Sequence, residues 1–93
     1  MISAFVLIQA RPDAISGLAS TIANLKGVRE AHSVAGGEAD LVAVLAVANH
    51  EGVARVVTDG IAKLDGVIST RTLIAFRSFS QEEYAAAFDG FGD

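Results

Sequence analysis

The stretches Leu25–Val34 (LKGVREAHSV) and Leu64–Leu73 (LDGVISTRTL) are two writings of one pattern. Each reads Leu-x-Gly-Val and then a polar-rich extended segment. The same offset aligns what precedes them. Ala14, Leu18, Ile22 and Leu25 fall on Val53, Val57, Ile61 and Leu64, and Phe5 and Ile8 fall on Val44 and Val47. A chain of 93 residues is therefore one strand–helix–strand unit written twice. Two copies are too few for a stacked solenoid. They suit a single βαββαβ sheet with pseudo-twofold symmetry, an α+β, ferredoxin-like sandwich.

Each piece has local support. Ile15, Leu18, Ile22 and Leu25 lie on one stripe of a helix. Pro12 suits a helix's first turn, where its missing N–H is not needed. Gly27 is expected as a left-handed C-terminal cap, with Lys26 at the negative end of the dipole. In the second copy, Asn49 is the expected N-cap and Glu51 lies in the first turn. Val53, Val57, Ile61 and Leu64 form its stripe, and Gly66 is expected to end it after Lys63. Leu41–Val47 (LVAVLAV) is short and Val-rich, and it lies between a Gly-rich turn and a helix cap, so it reads as a strand. Ala35–Asp40 (AGGEAD) is then the turn between the two middle strands, with glycines that permit positive φ. The outer strands are expected over Ile2–Ala10 and Val67–Phe76. Ser80 with Glu83 three residues on forms a capping-box pattern, which predicts a short C-terminal helix over about 80–88. Residues 1–93 are read as one domain with its core over about 2–76.

Strand side chains alternate between faces. Leu41, Ala43, Leu45 and Val47 point one way, and Val42, Val44 and Ala46 the other. Phe5 and Leu7 oppose Ala4, Val6 and Ile8, so both faces of the sheet are apolar. Right-handed crossovers put both helices on one side. The other face is left bare, and a patch of that kind marks an interaction surface. The expectation is a homodimer, two sheets packed face to face as a dimeric α/β barrel; cover of part of that face by the short C-terminal helix is the alternative.

Composition narrows the function classes. There is no cysteine, which excludes disulfides and thiolate metal sites. The formal net charge is −4, and the seven Lys and Arg are scattered, which speaks against direct nucleic-acid binding. No run approaches the roughly 20 apolar residues of a membrane helix. The start, MISAFVLIQAR, has no basic residue before its apolar stretch and reads as a buried strand rather than a signal peptide. The expectation is a soluble cytoplasmic protein. No Ser-His-Asp pattern, phosphate loop or metal-ligand cluster is present, so no catalytic residue, metal or cofactor is assigned.

AGGEADLVAVLAV, then a helix, then LDGVISTRTLIAF resembles the effector-binding domain of the Lrp/AsnC (feast/famine) regulators, over roughly Ile2 to Phe76. That family shows a Gly-x-Tyr-Asp-like turn, an apolar strand, a helix and a Gly-Val-x-x-Thr-x-Thr strand. Gly36 or Gly37 matches the turn glycine and Asp40 the turn acid. Gly66, Val67, Thr70 and Thr72 match the last motif. The resemblance implies face-to-face dimers that assemble further, into octamers or similar rings. It also implies a small effector, often an amino acid, bound between dimers near the turn and the last strand. Two departures stand out. Full-length members carry an N-terminal helix-turn-helix domain, whereas this chain starts at the first strand, as a stand-alone form would. Ala39 stands where an aromatic residue is usual.

The resemblance makes Gly36, Gly37, Asp40, Thr70 and Thr72 the candidate effector-binding residues. Backbone N–H groups of the turn would meet an effector carboxylate and Asp40 its ammonium. An Asp that bonds its own turn backbone is the alternative. The two threonines share a face, and Thr is also simply a good strand residue. Ser69 and Arg71 share the opposite face, where Arg71 is either a carboxylate fork or a rim ion pair. His32 and His50 lack a third converging ligand or an orienting partner and read as surface or satisfied histidines. The functional expectation is a non-catalytic effector-binding and oligomerisation module, able to mix with full-length Lrp/AsnC regulators. The alternatives are a small dimeric α/β-barrel enzyme, of cofactor-free monooxygenase or isomerase type, and a structural oligomer without a ligand. A His32 aimed into an internal cavity would favour the enzyme.

Overall fold

The computed structural model describes residues 1–79, and the expected helix over about 80–88 lies outside the described residues. The order is β1 (Ile2–Ala10), a 3-10 turn (Pro12–Ala14), α1 (Ile15–Ala23), β2 (Val28–Ser33), β3 (Leu41–Val47), α2 (His50–Thr58), a second 3-10 turn (Ile61–Lys63) and β4 (Val67–Ile74). The four strands form one antiparallel sheet in the order β2-β3-β1-β4. This is the βαββαβ arrangement that the repeat predicts. The two strands that open the copies lie in the middle, and the two that close them form the edges.

Alternation divides the sheet as expected. Ala4, Val6, Ile8, Leu41, Ala43 and Leu45 are fully buried and form one core with Leu18 and Ile22 of α1, Val53 and Val56 of α2, and Ile61. Both helices therefore lie on one side. Burial of that side supplies the main stabilising term, roughly 1.5–3 kcal/mol for each large side chain. On the other side Leu7, Val42 and Val44 are only half-buried, Phe5 is 40% exposed and Leu73 is 50% exposed. Its centre is apolar. Its edges carry Glu30 and His32 on β2, opposite Val44 and Val42, and Arg71 on β4, opposite Leu7.

Three boundaries differ from the sequence expectation. α1 ends at Ala23 and α2 at Thr58, short of Leu25 and Leu64. Tight turns finish each stripe: the Leu25 N–H donates to the Ile22 carbonyl at 3.0 Å, and Ile61–Lys63 is 3-10. Gly27 (φ +95°) and Gly66 (φ +99°) are left-handed, but each admits the chain to the next strand rather than capping a helix. Asn24 caps α1, its side-chain amide donating to the Ser20 carbonyl at 2.8 Å, so Lys26 lies beyond the helix end. Asn49 caps α2 as expected, accepting from the Gly52 N–H at 2.9 Å. The last strand stops at Ile74 rather than Phe76; one further backbone bond, Ala75 N–H to the Ser3 carbonyl at 2.9 Å, continues the pairing beyond it. A further symmetry emerges. Pairing slips just after each Gly-Val, so that Arg29 on β2 and Ile68 on β4 have no cross-strand partner.

Candidate functional site

A cleft of about 560 Å³ opens where the β2–β3 turn meets β1 and β4. Leu7 and Val42 form its apolar floor. They face the open side of the sheet because they alternate with the core residues Val6, Ile8, Leu41 and Ala43. Gly36 (φ +94°) and Gly37 (φ +75°) supply one wall, in backbone conformations that favour glycine. Gln9, Ser69 and Arg71 supply the opposite wall. The Ser69 hydroxyl donates to Gln9 Oε1 at 2.8 Å. Arg71 Nη1 lies 3.5 Å from Glu38 Oε2 on the turn, and both side chains are largely exposed.

The structure brings Gly36, Gly37 and Thr70 to this cleft. Thr70 reaches its lining although it pairs with Ile8 on the helix-facing side. Thr72 pairs with Val6 on that side and does not line the cleft. Asp40 stands behind it. Its carboxylate accepts from the Ala10 N–H at 2.9 Å and its own N–H donates to the Ile8 carbonyl at 2.8 Å, while its carbonyl accepts from the Val34 N–H at 3.0 Å. Asp40 thus extends the β1–β3 ladder one bond beyond Leu41 and fixes both ends of the turn. The carboxylate of the turn acid bonds a neighbouring strand rather than its own turn.

Sequence reasoning missed Glu38 and Gln9. Their partners, Arg71 and Ser69, come from the far end of the chain, and no local spacing signals them. Arg71 was legible by residue type as a carboxylate fork or a rim ion pair, and the structure gives it a rim ion pair with Glu38.

The histidines lie elsewhere. His32 Nε2 is 2.7 Å from Glu30 Oε2 on the open face, and His50 begins α2, exposed. Among the described residues no group of three or more His, Cys, Asp or Glu could hold a metal ion, and no helix is long and apolar enough to cross a membrane. Among the described residues, the one perturbed charge cluster lies outside the cleft lining. Arg11 donates to Asp65 at 3.3 and 3.4 Å and to Asp13 at 3.2 Å. These hydrogen bonds, and the guanidinium charge behind them, hold the Asp65 carboxyl below its ordinary range and raise Arg11 above its own.

The family model described as the Lrp/AsnC ligand binding domain matches residues 3–85. The chain belongs to the Lrp/AsnC ligand-binding domain family. An HTH-type transcriptional regulator of Pyrococcus abyssi is 39% identical over 85 residues, covering 86% of this chain and 55% of the relative. The chain thus spans about half the length of the curated relatives it matches. Among solved structures, TTHA0845 from Thermus thermophilus is 45% identical with a TM-score of 0.81, over 86% of this chain and 99% of that one. The feast or famine regulatory protein from M. tuberculosis, solved in complex with L-methionine, is 26% identical with a TM-score of 0.70, over 86% of this chain and 53% of that one. The Lrp/AsnC assignment agrees with the ferredoxin-like sheet and with the two motifs that flank the cleft.

Proposed function

We propose that this chain is a non-catalytic, cytoplasmic module of transcription regulation. It binds a small amino acid in the cleft at the β2–β3 turn and assembles through its open sheet face. One observation carries the reading: a cleft with an apolar floor and a polar rim is continuous with an apolar sheet face that α1 and α2 do not cover. Leu7 and Val42 belong to both. An amino acid suits such a site, since its two charges want the rim and its side chain the floor. The L-methionine complex of the M. tuberculosis relative supports the same ligand class.

The mechanism is linkage. A ligand that binds one assembly more tightly than another shifts the equilibrium toward it by that difference. The first assembly is a face-to-face homodimer, and dimers join further through the surface near the turn, into an octamer or a similar ring. Mixing with full-length Lrp/AsnC regulators uses the same sheet face. The enzyme alternative gains no support from His32, which lines neither the cleft nor its floor and is engaged by Glu30.

Thermal-shift measurement with each standard amino acid tests the proposal. Binding to the folded state raises apparent stability by RT ln(1 + [L]/Kd), about 2.7 kcal/mol at a hundred times Kd. At least one amino acid is expected to raise Tm at millimolar concentration. No shift with any of them overturns the ligand assignment.

A further inference from the structure

Glu38 and Arg71 are the charged residues in the lining of the cleft, one on the turn and one on β4, and they face each other at 3.5 Å. Their side chains are 81% and 71% exposed. An ion pair that wet contributes little to the fold and opens easily. Asp40, the acid that family resemblance puts in contact with an effector's ammonium, is already engaged by the Ala10 N–H and lies outside the lining. The cleft's anion is therefore Glu38.

We infer that Glu38 and Arg71 read the two charges of the effector: the guanidinium takes its carboxylate and Glu38 its ammonium. This rests on the amino-acid reading above. The mutual ion pair is replaced by two ion pairs to one zwitterion, so neither protein charge loses its partner on binding. Arg71 suits the carboxylate because its planar fork matches two oxygens. It is also the anchored member, in mid-strand opposite Leu7. Glu38 sits on the glycine turn and can adjust. With both charges held at the rim, the ligand's side chain points to Leu7 and Val42. Gln9 and Ser69 satisfy each other on the wall. The class selected is a free α-amino acid with an apolar side chain.

The experiment uses the full chain and isothermal titration after a thermal-shift screen with the standard amino acids. For an apolar hit such as L-methionine, the probes are the amino acid, its methyl ester, which lacks the carboxylate, and 4-(methylthio)butanoate, which lacks the ammonium. Each analogue is expected to bind wild type about tenfold more weakly or worse, the scale of one charged hydrogen-bonding partner. Glu38→Gln is expected to weaken the amino acid by a similar factor and not to weaken the butanoate, which no longer competes with Glu38 for Arg71. Arg71→Gln weakens the amino acid and the butanoate but does not weaken the ester, which no longer competes with Arg71 for Glu38. Ligand-free Tm stays the same in both variants, since both side chains are exposed. If both variants bind the hit as wild type does, the pair is not the reader, while the amino-acid function stands. A hit confined to amino acids with charged side chains overturns the inference in the same way. If no amino acid binds wild type, both fall together.

Discussion

Asp40 shows how a residue can be legible by type and opaque by role. The sequence marks it as the turn acid before an apolar strand. Its partner, the Ala10 N–H, becomes visible only once β1 and β3 are paired and the ladder is seen to continue past Leu41. A partly buried hydrogen bond to a carboxylate is worth more than an exposed one. Asp40→Ala is therefore expected to lower the unfolding free energy by about 1–3 kcal/mol in urea denaturation, with Asp40→Asn recovering part of it. Arg11 and Asp65 make a second residue-scale case. Asp65 is held below its ordinary range chiefly by the hydrogen bond from Arg11. A depressed folded-state value means stabilisation that is present above the unfolded value and lost as pH falls through the folded one. NMR titration of the Asp65 carboxyl is expected to show that depression, and Arg11→Gln to return it toward the ordinary range. The pair lies at the solvent-exposed surface, so salt should weaken it. The candidate site was legible where it depends on backbone, at Gly36 and Gly37. It was not legible where two side chains from distant strands meet.

At the scale of elements, strand alternation was read correctly because a period of two is set by backbone geometry alone. Ala4, Val6 and Ile8 face the helices, and Phe5 and Leu7 do not, as the order of residues requires. Helix ends were read too long. The apolar stripe continues through Leu25 and Leu64 into 3-10-type turns, and those turns keep residues three apart on one side. The stripe therefore survives a change of helix type and conceals it. Two substitutions separate core from edge. Leu45 is fully buried in β3, and Leu45→Ala is expected to cost about 2–5 kcal/mol by chemical denaturation. Arg29 is exposed and unpaired at the slip in β2, and Arg29→Ala should stay within about 0.5 kcal/mol.

At the scale of the molecule, the duplicated unit settles the layer count. Among the described residues two helices cover one side of a four-stranded sheet, and the other side keeps an apolar centre with charged residues at its edges, the anatomy of a protein interface. Val44 lies in that centre, opposite Phe5 and Glu30. Val44→Asp is expected to convert the proposed dimer to a monomer in size-exclusion chromatography with light scattering, with the helix-side core intact by circular dichroism. The wild-type Tm should rise with protein concentration, as it does for any fold completed by association. A concentration-independent monomer would remove the assembly from the proposal.

The fastening of the β2–β3 turn has a mechanical corollary. Asp40 ties that turn to Ile8 and Ala10 at the end of a central strand, and the same strand carries Phe5 and Leu7 on the uncovered side. Whatever tugs the turn tugs the strand. In the proposed assembly, occupancy of the cleft and the fit between subunits would thus share a single lever, with Asp40 as its rivet.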